Sequence, residues 1–99
     1  MKARFRLDLK RRETFKKYES QRAALKSLLF SQAVDYDTRW WAQLALNKQP
    51  RDGSISRVRN RCIQTLRGRS VQSHYKLSRL RLRRLISRGL FPGIRKASW

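Results

Sequence analysis

DLKRRETFKKYESQRAALKSLLFS, residues 8–31, contains neither proline nor glycine, and Phe15, Tyr18, Leu25, Leu28 and Leu29 recur along it at spacings of three, four and seven. That period traces one face of a helix and predicts a single long amphipathic helix from about Asp8 to about Ser31. Lys16, Lys17, Arg22 and Lys26 fall on other faces, and Glu13 stands four residues before Lys17, a mildly favourable pair. Upstream, MKARFRLDLKRR resembles an organellar transit peptide in its arginines. Asp8, Glu13 and Glu19 interrupt it, however, and presequences are poor in acids, so a basic first helix is the better reading. A secretory signal is excluded by the missing apolar core.

Downstream, Val34-Asp35-Tyr36-Asp37 offers acidic caps for a second, shorter helix that Pro50 closes, with Trp40, Trp41, Leu44 and Ala45 on one side. The two helices are expected to form a hairpin. Of the adjacent tryptophans one is assigned to the core and the other to an RNA base or a protein neighbour, burial of both being the alternative. Pro50 to Asn60 is turn-rich and basic with few apolar residues, a linker expected to lie on something. Arg61 to Lys76, with Gly68 between Arg67 and Arg69, suits a short loop or hairpin whose glycine allows close approach to phosphate. Ser78 suits an N-cap. Leu82, Leu85 and Ile86 then form the apolar face of a third short helix that Gly89 ends, although Leu80-Arg81-Leu82-Arg83 alternates as a strand would. Residues 91–99 read as an extended tail anchored by aromatics. The expected fold is therefore mainly α, small and non-globular. It comprises an N-terminal helical extension (1–49) and a basic part (50–99) with linker, loop or hairpin, third helix and tail.

The chain carries 26 Lys and Arg against 6 Asp and Glu, a formal charge of +20. Residues 51–99 hold fourteen of the cations and a single acid, Asp52. So many like charges on one small domain repel, which points to a polyanionic partner. Arg outnumbers Lys by twelve to two in this half. Its planar guanidinium grips phosphate with two hydrogen bonds and stacks on bases, which favours structured RNA over duplex DNA. Tyr75, Phe91 and Trp99 offer stacking surfaces. Catalysis finds no support: His74 is the lone histidine and no carboxylate in the basic half is placed to orient it. Cys62 is the lone cysteine, so neither an intrachain disulfide nor an ordinary Cys/His zinc site can be completed. No stretch approaches the apolar length of a membrane span. A nucleoid or tRNA-binding accessory protein and a membrane-active basic peptide are the competing readings.

Three stretches, RNRCIQT at 59–65, LSRLR at 77–81 and RGLFPGIRKASW at 88–99, resemble the small-subunit ribosomal protein S-fourteen family. That family has a short form binding zinc through a Cys-x-x-Cys pair on each side of a basic loop, and a longer form without zinc. Cys62, Thr65, Ser78 and Arg81 stand at the four equivalent places, so the resemblance is to the zinc-free form. Asp37-Thr38-Arg39-Trp40 and Pro50-Arg51-Asp52 are similar to its second-helix region. Where members commonly read Thr-Gly-Arg-Pro, this chain has Thr65-Leu66-Arg67-Gly68.

The resemblance implies a structural constituent of the small ribosomal subunit, without cofactor or enzymatic activity. It implies binding to the three-prime major domain of the rRNA in the subunit head, beside neighbours such as ribosomal proteins S-three, S-ten and S-nineteen. RNA contact is carried over to Arg57, Arg59, Arg61, Arg79, Arg95, Lys96 and Trp99. Charge alone adds Arg67, Arg69, Arg81, Arg83 and Arg88, and Asn60 and Lys76 complete the candidate set. The arginine content, Leu66, Gly68 and the paired tryptophans favour a mitochondrial ribosome, with a bacterial or plastid one as the alternative. The missing presequence would then fit synthesis inside the organelle.

Overall fold

A computed structural model describes residues 2–99. Helix α1 runs over Lys2–Phe30 and α2 over Tyr36–Lys48. Two single 3-10 turns follow at Arg51–Gly53 and Ile55–Arg57, then strands β1 (Val71–Gln72) and β2 (Leu77–Ser78), and finally α3 (Arg79–Ser87). The chain divides into two compact units, residues 7–58 and residues 59–99 together with 2–6.

Helix α1 starts six residues before the expected Asp8, because Lys2 to Leu7 are mostly straight-chain helix formers with nothing to stop them. Phe15, Tyr18, Leu25, Leu28 and Leu29 are half-buried, as their spacing requires. Arg22, expected on another face, joins this stripe: its Nη2 donates to the Pro50 carbonyl at 3.1 Å. Gly53 is buried against the same helix, where an added β-carbon would stand in ordinary contact, 3.5 Å from Cβ of Tyr18. Farther back, Arg11 Nε and Arg57 Nη1 lie 3.5 and 2.6 Å from Asp52 Oδ1. As the linker advances through 50, 53 and 57 it therefore meets α1 at 22, 18 and 11, and the chain has turned back along its first helix.

Helix α2 is capped by backbone rather than by the acids: Arg39 N–H donates to the Asp35 carbonyl at 3.1 Å, and the Asp35 side chain makes no cap bond. Gln49 is extended before Pro50, which ends the helix. The assignment of one tryptophan to the core is overturned. Trp40 and Trp41 are 56% and 61% exposed, whereas Ala42 is fully buried. The inward stripe is Arg39, Ala42, Ala45 and Leu46, with small side chains at its centre where an indole would not fit without repacking.

The second unit is built on a few residues. Cys62, Leu77 and Leu85 are its buried apolar centre, with Val71, Tyr75, Leu82 and Phe91 packed against them. The expected hairpin forms: β1 and β2 pair antiparallel, Val71 opposite Ser78 and Gln72 opposite Leu77. Ser78 Oγ accepts from Arg81 N–H at 3.4 Å as the N-cap of α3. The helix ends with Gly89 at φ +69, its N–H bonding the Ile86 carbonyl and Leu90 N–H bonding that of Leu85, a Schellman closure. Beyond it the tail is irregular.

Candidate nucleic-acid interface

Residues 59–99 hold twelve Lys and Arg and no Asp or Glu. What positions these cations is a turn centred on Cys62. Its N–H donates to the Arg67 carbonyl and its carbonyl accepts from Leu66 N–H, both at 2.9 Å, while Ile63 N–H reaches the Lys76 carbonyl at 3.1 Å. Burial pushes the Cys62 thiol up, but donors outweigh it: the Thr65 hydroxyl and the backbone N–H groups of Ser78, Thr65 and Gln64 bring its pKa down to about 6. Arg81 Nε donates to Gln64 Oε1 across the same turn.

These residues do not fit a zinc ion. The resemblance brings Cys62, Thr65, Ser78 and Arg81 to the ligand positions, yet the Thr65 hydroxyl serves the sulfur, the Ser78 hydroxyl caps α3 and the Arg81 guanidinium is a cation held by Gln64. Among the described residues no group of three or more His, Cys, Asp or Glu could hold a metal. Hydrogen bonds close the turn that thiolate–metal bonds close elsewhere.

Leu66, where glycine is common in the family the chain resembles, is held left-handed at φ 58, and Ser70 and Lys76 follow at 52 and 54. The backbone that a glycine provides freely is thus kept with a leucine, at a cost of about 1–2 kcal/mol. Gly68 organises two of the neighbouring arginines. Its carbonyl accepts from Arg59 Nε at 2.7 Å, and the side chains of Arg59 and Arg61 lie across its missing β-carbon. Arg61 is fixed further by donating to the Leu66 carbonyl at 3.2 Å.

The candidate cations thus fall into groups. Arg59 and Arg61 bond carbonyls of the Cys62 turn, Arg67 closes it through its own carbonyl, and Arg69 is exposed just beyond Gly68. A shallow groove is lined by Thr65, Arg67, Ser78, Leu80, Arg81 and Arg84, and an adjoining one by Leu80, Arg83, Arg84, Ser87 and Arg88. Arg79, Arg83 and Lys96 meet at a third hollow. Arg84 lines two of these surfaces and was missed as a candidate, although its place in the run Arg83-Arg84 was the signal. Lys76 and Asn60 are exposed, as are Arg95 and Trp99 in the tail. Arg57 belongs to the other unit, with its Nη1 engaged by Asp52. Tyr75 and Phe91, expected to offer stacking faces, instead meet edge to face at 5.5 Å in the small core, and His74 meets Tyr75 likewise at 4.9 Å.

Closely spaced guanidinium groups with no acid between them form a surface for a polyanion, and the small buried centre beneath serves to hold them. The family described as Ribosomal protein S14p/S29e matches residues 45–98. The small ribosomal subunit protein uS14m of Prototheca wickerhamii is 46% identical over 92 residues, 93% of each chain. The chain belongs to the ribosomal protein S14 family.

Proposed function

We propose that this protein is a structural, non-catalytic constituent of the small subunit of a mitochondrial ribosome, where it binds rRNA of the subunit head and supports head assembly. The observation that carries this reading is the acid-free unit at 59–99, whose arginines line adjoining surfaces around α3 and the Cys62 turn. Each guanidinium can take a phosphate with two hydrogen bonds while releasing condensed counterions. The rRNA contacts are Arg59, Asn60, Arg61, Arg67, Arg69, Lys76, Arg79, Arg81, Arg83, Arg88, Arg95, Lys96 and Trp99, joined by Arg84, with Arg57 contributing through whatever donors Asp52 leaves open. The RNA segment is the three-prime major domain, and the protein neighbours are ribosomal proteins S-three, S-ten and S-nineteen. The similarity to uS14m supports the compartment.

The test is sedimentation of the tagged chain from a lysate of its own compartment through a sucrose gradient in high salt. Salt strips weak electrostatic binders but spares an integrated subunit protein. Migration with the small subunit is the expected result. Release to the top of the gradient overturns the reading and favours a loosely bound nucleoid or tRNA-binding factor.

A further inference from the structure

We propose that the hollow between α3, β1 and the tail holds one unpaired nucleotide, its base drawn out of the surrounding RNA. The inference rests on the rRNA-binding reading above and adds to it a site and a ligand. The hollow has a volume of about 250 Å³, just below the roughly 300–1,000 Å³ of pockets that take drug-sized ligands. Arg79, Leu82, Arg83 and Ile86 recur on α3 at spacings of three and four, so one stripe of the helix supplies the floor and part of the rim. Leu82 and Ile86 are half-buried, and Leu82 packs on the core beneath. The floor is therefore apolar and fixed, as the flat face of a base requires.

Around that floor the chemistry changes. Arg79 and Arg83 stand on the helix and Lys96 comes from the tail, placing three cations at the rim where a sugar–phosphate backbone would pass. A guanidinium plane can also cover the second face of the base. Gln72 borders the hollow from β1, and its amide offers a donor and an acceptor side by side to a base edge. The main chain of Gln72 is held by the hairpin, its backbone carbonyl accepting from Lys76 N–H at 2.7 Å. A paired base shows neither its faces nor its Watson–Crick edge, so an apolar floor with an amide at its margin suits an extruded nucleotide better than a duplex.

The experiment compares small subunits assembled with the wild-type chain, with Gln72→Ala and with Ile86→Ala, probing the rRNA with base-edge reagents and separately with hydroxyl radicals at the backbone. The expected result is an unpaired base protected in wild-type subunits whose protection weakens at least about fivefold in both variants, while the backbone footprint persists. Gln72 is exposed, so its truncation leaves the fold intact even if Ile86→Ala loosens α3. Base protection that is absent, or unchanged by Gln72→Ala, overturns the nucleotide site and leaves rRNA binding standing. A wild-type chain that gives no backbone footprint overturns the binding reading itself.

Discussion

The Arg61 guanidinium lies over Gly68, with Nη1 3.0 Å from the position an added β-carbon would take. Gly68→Ala must move that group, and the far end of a flexible side chain moves at little cost. The expected loss of stability is about 1 kcal/mol, the scale of the Arg61 bond to the Leu66 carbonyl. Affinity for the rRNA should fall less than in Arg61→Ala, because Gly68→Ala only shifts the cation that Arg61→Ala removes. Thermal unfolding and filter binding on the two variants check this together.

Cys62 makes stability depend on pH. Its folded pKa of about 6 lies below that of an unfolded cysteine, so the folded state sheds its proton first. The contribution is fully present above the unfolded value and is lost as pH falls through 6. Stability should therefore rise between about pH 6 and 8.5, by at most about 1.4 kcal/mol per pH unit. Cys62→Ala should be less stable and lack this rise. Urea unfolding at a series of pH values reads the slope.

Ser70 is exposed and left-handed at φ 52. Ser70→Gly should raise stability by about 1 kcal/mol, since glycine adopts that backbone without strain. The same exchange at Leu66 should gain less, because its half-buried side chain is lost with the strain. Denaturant midpoints of the two variants rank them.

Trp40→Ala and Trp41→Ala should each cost under about 1 kcal/mol, as substitutions of exposed residues do. Ala42→Leu, at the buried position that follows them, should cost about 1–3 kcal/mol by overpacking. Thermal unfolding distinguishes this order from the reverse one that a core tryptophan would give.

Arg84→Ala should lower the slope of log affinity against log salt by about 0.7–0.9, one phosphate contact. Filter binding at several salt concentrations measures it.

The sequence made the helices legible where period and punctuation agreed. Phe15, Tyr18, Leu25 and Leu28 mark the inward stripe of α1, and Ser78 and Gly89 bracket α3 within one residue. It misled at α2, where hydrophobicity pointed to Trp40 and Trp41 while the packing surface is set by the small residues Ala42 and Ala45. Size, not hydrophobicity, decides how closely a helix can approach, and a single sequence does not state which face must approach closely. The arginine surface was visible as charge. Its grouping was not, because it depends on three left-handed residues, Leu66, Ser70 and Lys76, that carry no glycine to announce the turns. The second task of Arg59 and Arg61, bonding the Gly68 and Leu66 carbonyls, was hidden for the same reason.

The way the turn at Cys62 is closed bears on how the protein matures. Thr65, Ser78 and Gln64 are supplied by the chain itself and satisfy the sulfur as soon as the hairpin meets the turn. None of these closing bonds calls on a metal ion, so a chelator has no ligand among Cys62, Thr65, Ser78 and Arg81 to strip. The folding of this turn should therefore be indifferent to zinc supply.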